Sequence, residues 1–228
     1  MDFGTFETKI GYVFKDKRLL AQAFTHRSYL NENRAAGLDH NERLEFLGDA
    51  VLELAVTKFL YTKYPEKPEG ELTAYRAALV NTQSISEAGT KLGINEYLLL
   101  SRGEAKDTGR ARQIILANAF EALIGSIYLD GGYDAAQKFI ADQLFEKTDE
   151  VVEKRLWQDA KSRLQEIAQE LSGITPKYEL LNQSGPDHNK QFVVGAYIGS
   201  EKIATGEGHS KQEAEQDAAQ KALAAKGW

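Results

Sequence analysis

The sequence predicts an all-α domain followed by a small α+β domain whose elements run in the order α-β-β-β-α. Apolar residues recur at helical spacing through the first two-thirds of the chain, and three short β-like runs follow in the last third. A chain of 228 residues can form two small domains. We place the boundary after residue 155, so the predicted domains are residues 1–155 and 156–228.

The helices of the first domain are predicted from the periodicity of leucine, valine and alanine, and turn residues separate them. These helices cover residues 19–24, 42–64, 71–92 and 111–129. Pro65, Gly93 and residues 130–132 mark the turns. Asp134 is expected to cap a further helix that runs to about residue 153.

The second domain begins with an amphipathic helix over residues 159–171. Three strands are predicted over residues 177–182, 191–198 and 202–206, and the turn residues between them indicate a three-stranded meander. Ser210 is expected to cap a final alanine-rich helix that ends near residue 225.

Composition restricts both the setting and the chemistry. The chain has no cysteine, which excludes disulfides and thiolate zinc sites and suits a reducing, cytoplasmic environment. The net charge of −6 argues against a uniformly basic surface, although nucleic-acid binding needs only a local basic face. The longest apolar stretch, residues 113–129, falls short of a bilayer span of about 20 residues. We therefore expect it to form a buried core helix, with no membrane segment.

Three acidic residues share one face of the helix that begins near residue 42. Glu42, Glu45 and Asp49 are three and four residues apart, so their side chains project in the same direction. Such spacing alone is typical of a solvated acidic surface. Here most of the remaining positions through residue 55 are apolar, which predicts a buried helix whose acids need partners.

Glu121 is the only charged residue between Arg112 and Asp130. An unpaired carboxylate in so apolar a helix would be strongly destabilising or would take up a proton. Two kinds of partner are open: a buried arginine, or a cation shared with the acids of the other helix. Asn118, one turn earlier, offers a neutral oxygen on the same side.

A shared hard cation is the more economical arrangement, and Mg²⁺ fits best because it prefers oxygen ligands and retains water molecules. Zinc is disfavoured because the four histidines have no paired spacing and there is no thiol. The sequence has no phosphate-binding glycine loop and no serine nucleophile motif. The chemistry left open is metal-assisted hydrolysis, typically of phosphate esters.

At these residues the chain resembles bacterial ribonuclease III, whose signature matches residues 41–52 almost residue for residue. Matches at residues 25–29 and 69–73 extend the resemblance, which covers essentially the whole chain. It implies a homodimeric helical endonuclease domain that hydrolyses double-stranded RNA with Mg²⁺. The implied products have 5′-phosphate and 3′-hydroxyl ends with a short 3′ overhang. The implied role is the processing of structured RNA, such as ribosomal RNA precursors, in the cytoplasm.

The resemblance also implies roles for individual residues. It marks Asp49 and Glu121 as catalytic, Glu45, Asn118 and Glu121 as metal ligands, and Glu42 and Glu69 as acids that line the cleft. Asn118 is a departure, because the family usually has Asp there. A neutral amide still ligates but lowers cation affinity, and we expect activity to survive it. Two other functions stay open: a silenced nuclease fold that only binds RNA, and a hydrolase of smaller phosphate esters.

The α-β-β-β-α tail resembles a double-stranded RNA-binding domain, which reads the shape of an A-form duplex. The residues implied to contact RNA are Ser162, Gln165, Glu166, His188, Ser210 and Lys211. Each alone could be an ordinary surface or capping residue, and only their order on the expected elements favours RNA binding. The family often has a denser run of lysine and arginine at the start of the last helix. We therefore expect a modest affinity that falls strongly with salt.

Four basic residues, Arg102, Lys106, Arg110 and Arg112, lie in one polar loop. The sequence leaves open whether they contact phosphate or only face solvent. His26 lies beside apolar positions, and we expect it to form hydrogen bonds inside the fold.

Overall fold

The computed structural model describes residues 3–35, 37–155, 157–186 and 190–228. Two compact units divide the chain, Met1–Trp157 and Gln158–Trp228. The first is helical and the second has the order α-β-β-β-α, so the predicted fold class is confirmed. The division falls two residues beyond the predicted boundary, after residue 157 instead of residue 155.

The first unit is built from helices, and the connection of residues 92–109 contains two short 3-10 helices. Its helices are α1 (Gly4–Ile10), α2 (Lys17–Ala23), α3 (Arg27–Glu32), α4 (Glu42–Lys63), α5 (Glu69–Leu79), α6 (Thr82–Lys91), α7 (Arg110–Leu144) and α8 (Thr148–Glu153). The helix predicted over residues 71–92 is two helices, α5 and α6. Asn81 causes the division, because its side chain accepts a hydrogen bond from the backbone N–H of Ser84 (2.9 Å) and so caps α6.

Helix α7 supplies the centre of the core and contains a break. Between Ile115 and Ile127 nearly every residue is buried. The backbone leaves helical geometry at Gly132, with φ 81° and ψ −178°, which corresponds to the turn predicted at residues 130–132. Asp130 anchors this point, because its carboxylate accepts a hydrogen bond from the Tyr12 hydroxyl (2.7 Å).

The second unit is a three-stranded antiparallel sheet with two helices. Its elements are α9 (Ala160–Ser172), β1 (Lys177–Ser184), β2 (Gln191–Ile198), β3 (Glu201–Gly208) and α10 (Lys211–Lys226), and the strand order is β1-β2-β3. Leu164, Ala196 and Leu223 belong to its own hydrophobic core. A Cβ at Gly206 would stand 2.1 Å from the backbone nitrogen of Ala218, so β3 packs directly against the backbone of α10.

One segment, Arg110–Glu153, has the length and apolar composition of a membrane-spanning helix. Its most apolar window is 61% buried inside the fold. Such burial is typical of a core helix, as expected from the sequence.

Candidate active site

Helices α4 and α7 cross at two glycines. A Cβ at Gly48 would stand 1.7 Å from the carbonyl oxygen of Glu121, and a Cβ at Gly125 would stand 2.2 Å from a backbone carbonyl oxygen of α4. A side chain at either position would therefore push the helices apart. Because Gly48 lies between Glu45 and Asp49, the crossing brings both acids to the same cavity as Glu121.

An open cavity of about 420 Å³ lies beside this crossing. It is lined by Glu42, Glu45, Phe46, Asp49, Asn118 and Glu121. The structure thus brings together every metal-ligand, catalytic or cleft residue predicted in the first unit except Glu69. Glu69 lies at the start of α5, accepts a hydrogen bond from the Thr73 hydroxyl (3.0 Å) and lines a separate cavity of about 410 Å³.

Burial and crowded negative charge set the electrostatics of the acidic cavity. Burial, followed by the charges of Asp49 and Glu45, raises the pKa of Glu121 to about 7. The pKa of Glu45 is also raised, first by burial and then by Glu42 and Asp49. In the part of the chain that the structure describes, no lysine, arginine or histidine forms an ion pair with Glu121, Glu45 or Asp49. The buried arginine that the sequence left open as a partner is therefore not found among those residues.

The chemistry of the cavity suits a hard cation, because its polar lining consists of carboxylates and one amide. Among the described residues, however, no three histidine, aspartate or glutamate side chains stand close enough together to hold an ion as they are. Carboxylates without a counter-ion repel one another, so a cation would have to draw them together. The raised pKa of Glu121 is the observation that supports the fit.

Glu42 differs from the other acids of the cavity because two basic side chains lie beside it. Arg27 donates a hydrogen bond from Nη1 to its Oε1 (3.3 Å), and Nδ1 of His40 lies 3.7 Å from its Oε2. Sequence reasoning missed this pairing, because Arg27 lies on α3 and precedes Glu42 by 15 residues. No local spacing rule joins residues that far apart.

The outer face of α4 is open to solvent, and the expectation that this helix is buried on nearly all sides is wrong. Phe46 is 81% exposed, Leu54 57% and Tyr61 74%, whereas Leu52 and Ala55 on the inner face are fully buried. An apolar pattern indicates that a face is to be covered, but it does not indicate what covers it. In the single chain, none of the residues that the structure describes covers this face.

The RNA-contacting residues predicted in the second unit lie on two helices. Ser162, Gln165 and Glu166 are exposed on α9. Ser210 accepts a hydrogen bond from the backbone N–H of Glu213 (3.1 Å), which caps α10, and the adjacent Lys211 is exposed. The prediction for His188 lies outside the described residues.

Two other lysines of the second unit are engaged in ion pairs with acids of α10. Lys221 pairs with Asp217 (2.7 Å), and Lys161 pairs with Glu215 (2.5 Å). Each pair neutralises a cation that could otherwise attract phosphate. These two lysines are therefore less available to phosphate than Lys211, for which no ion pair is found among the described residues.

Arg112 lies in the first turn of α7 and has a structural role, because it holds the polar loop that precedes this helix. Its Nε and Nη2 donate hydrogen bonds to the backbone carbonyl oxygens of Asp107 (3.1 Å) and Glu104 (2.6 Å), and its Nη1 donates to a side-chain amide oxygen (3.1 Å). Arg102 and Lys106 are exposed. For these two residues it stays open whether they contact phosphate or only face solvent.

Comparisons with known proteins give consistent matches for both units. A family model described as ribonuclease-III-like matches residues 16–148, and a double-stranded RNA binding motif matches residues 160–226. Ribonuclease 3 of Enterococcus faecalis is 46% identical over 215 residues, which cover 94% of this chain and 93% of that protein. Ribonuclease 3 of Geobacillus kaustophilus is 46% identical over 221 residues, which cover 97% and 89%.

A solved structure resembles the first unit. It is the nuclease domain of ribonuclease III from Campylobacter jejuni, described as having structural flexibility in a region involved in dimer formation. The identity is 38% and the TM-score 0.56, and the match covers 62% of this chain and 98% of that one.

Proposed function

Because the chain belongs to the ribonuclease III family of double-strand-specific endoribonucleases, we propose that it uses Mg²⁺ to hydrolyse phosphodiester bonds of double-stranded RNA. The proposed products carry 5′-phosphate and 3′-hydroxyl ends with a short 3′ overhang. The proposed role is the processing of ribosomal and messenger RNA precursors in the cytoplasm.

The observation that carries the metal proposal is the position of Glu121. Its carboxyl group is largely buried beside Asp49 and Glu45, and the described residues provide no cation to neutralise it. Functional sites often keep an acid in such an electrostatically unfavourable environment. A bound divalent cation would lower the pKa of Glu121. Its attraction for each carboxylate would outweigh the repulsion between the carboxylates.

We assign the residues of the cavity as follows. Glu45, Asn118 and Glu121 hold the ion through side-chain oxygens, and Asp49 and Glu121 are the catalytic pair. When bound, Mg²⁺ supplies a Lewis acid and a water molecule of lowered pKa. Asp49 is exposed at the cavity wall, where its carboxylate would be placed to take up a proton released during hydrolysis.

Glu42 and Glu69 are assigned to the cleft around the ion. Glu42 lines the same cavity as the ligands. Glu69 lines another cavity of its own chain, so its contribution would depend on the arrangement of two subunits. We propose a homodimer through the nuclease unit, supported by the exposed apolar face of α4 and by the dimer-forming region described for the Campylobacter jejuni domain.

The second unit is proposed to hold the duplex through the exposed residues of α9 and the start of α10. Ser162, Gln165 and Glu166 would reach minor-groove hydroxyl groups, and Ser210 and Lys211 would meet phosphates at the positive end of α10. His188 is proposed for a second minor groove. This unit argues against a hydrolase of small esters, which would need no duplex-binding motif.

One residue favours a second candidate function. Asn118 contributes no charge to the metal site, and a chain that binds its ion too weakly would hold duplex RNA without cutting it. Such a silenced nuclease would still use its second unit.

Incubation with a long RNA duplex tests the proposal. With Mg²⁺ we expect discrete products, and with EDTA or with single-stranded RNA we expect none. Glu121→Gln keeps the size of the side chain but removes its charge, so we expect cleavage to fall by several orders of magnitude while duplex binding in EDTA is retained. Wild-type rates in Glu121→Gln would disprove the assigned site. Binding without any cleavage by the unaltered chain would select the silenced nuclease.

A further inference from the structure

The negative charge of the acidic cavity would repel the RNA strand that is its proposed substrate. Its walls carry the carboxyl groups of Glu42, Glu45, Asp49 and Glu121, and an RNA strand brings a negative phosphate to every nucleotide. Like charges repel, so the approach of the strand requires cations at the rim. Arg27 is a candidate, because it is hydrogen-bonded to Glu42 at that rim.

The backbone that carries Arg27 is held firmly against the cavity. His26 caps α3 by accepting a hydrogen bond from the backbone N–H of Ser28, and so has the structural role expected from the sequence. The buried Asn41, immediately before α4, donates its backbone N–H to the carbonyl oxygen of the buried Thr25 (2.9 Å). The start of α3 is thereby fixed to the start of α4. The backbone of Arg27 is therefore already in place before a ligand binds, which lowers the entropic cost of binding.

The guanidinium group itself is only lightly engaged. Among the described residues its only partner is Glu42, at 3.3 Å, and the two side chains are 69% and 45% exposed. Exposed ion pairs of this kind contribute little to stability, so the partner is easily exchanged. Arg112, by contrast, uses Nε and both Nη atoms inside the fold. Arg76 contacts Glu53 at 2.8 Å and a threonine hydroxyl at 2.9 Å.

We propose that Arg27 binds a backbone phosphate of the RNA strand at the mouth of the acidic cavity, exchanging the Glu42 carboxylate for the phosphate. A guanidinium has several donors in a fixed plane and suits phosphate oxygens well. His40, whose Nδ1 lies 3.7 Å from Oε2 of Glu42, can pair with that carboxylate when its imidazole is protonated and Arg27 has turned away. The inference rests on the proposed function, because it needs a duplex laid across this cavity.

Salt-dependent binding of an RNA duplex to the full chain in EDTA tests the proposal, since no strand is cut without metal. Each phosphate contact contributes about 0.7 to 0.9 to the slope of log K against log salt. We expect Arg27→Gln to reduce the slope by that amount and Arg27→Lys to retain it. In cleavage assays with Mg²⁺, Arg27→Gln should raise KM severalfold and change kcat less than twofold.

Arg18→Gln is the matched control, because Arg18 is also an exposed arginine in an ion pair. Its partner is Asp16, at 3.0 Å, which does not line the acidic cavity, whereas Glu42, the partner of Arg27, does. Arg18→Gln should leave slope and KM unchanged. An unchanged slope in Arg27→Gln, or a fall in kcat with unchanged KM, would overturn the proposal, since Arg27 would then act only through Glu42. If the unaltered chain also binds no duplex, the proposed function fails together with the inference. If the unaltered chain binds and cuts the duplex while Arg27→Gln gives one of these contrary results, only the inference fails.

Discussion

The carboxyl group of Glu121 links protein stability to pH with a definite sign. In the folded chain its pKa is about 7, whereas its ordinary value is 4.5, and burial is the largest cause. Between these values the unfolded chain releases the proton while the folded chain keeps it. The folded state therefore loses stability as the pH rises from 4.5 to about 7, and the full penalty is present above that range.

Replacement of this acid should therefore stabilise the metal-free protein at alkaline pH. We expect Glu121→Gln to raise the free energy of unfolding at pH 8 in EDTA by up to about 3 kcal/mol. The gain should shrink toward zero as the pH falls to 4.5. Urea unfolding across that range measures it, with the exposed Glu69→Gln as control. A variant less stable than the parent at pH 8 would show that the carboxylate has a favourable partner in the folded chain.

Asn118 tests how the charge of the cavity sets metal affinity. We expect Asn118→Asp to bind Mg²⁺ roughly tenfold more tightly, because a third carboxylate joins Glu45 and Glu121 in the proposed ligand set. Titration calorimetry measures the change in Kd. Gln113→Glu is the control, since it adds the same charge to an exposed position of α7 outside the cavity. Equal affinities in the parent and in Asn118→Asp would remove residue 118 from the ligand set.

At the scale of elements, the site depends on the close crossing of α4 and α7. We expect Gly48→Ala to destabilise the fold by about 3 kcal/mol or more and to abolish cleavage, because the new methyl group would overlap the carbonyl oxygen of Glu121. Gly70→Ala is the control, because a Cβ there meets nothing within 4 Å. Urea unfolding and the duplex cleavage assay measure both effects. A Gly48→Ala protein with parental stability and activity would contradict the packing described here.

The sequence predicts the long elements well and the short ones poorly. Periodicity over many residues places α4, and the part of α7 that precedes the break at Gly132, near their observed spans, because a long amphipathic pattern has few alternative explanations. It does not predict α1 and α3, which have only 7 and 6 residues. Helices of so few turns depend on local caps, such as that of His26 on α3, and on tertiary contacts more than on their own pattern.

The acidic cavity could likewise be predicted only in part from the sequence. Spacing on α4 predicts that three acids share a face, and the apolar surroundings single out Glu121, but only the fold shows that the two helices meet at Gly48 and Gly125. Residues that act through tertiary contacts, such as Arg27, leave no local signal. For Glu69, the single chain places the residue in another cavity, and its role stays a prediction.

At the scale of the whole molecule, the open face of α4 is the feature that one chain leaves unexplained. Phe46, Leu54 and Tyr61 expose large apolar side chains along one helix. Phe46 lines both the acidic cavity and a neighbouring cavity of about 730 Å³. A cover for this face would therefore reach the edge of the acidic cavity, so dimerisation and cleavage should respond together.

We expect the unaltered protein to sediment as a dimer of 25.4 kDa subunits at micromolar concentration, and Phe46→Ser to shift it toward monomer, because an exposed aromatic anchor is lost. Val13→Ser is the matched control, since Val13 is another exposed apolar residue, 71% accessible, that does not lie on α4. Cleavage by Phe46→Ser should fall with the dimer fraction and recover at higher protein concentration. A monomeric parent that cuts duplex RNA at full rate would separate the active site from dimerisation, and the apolar face of α4 would then need another partner.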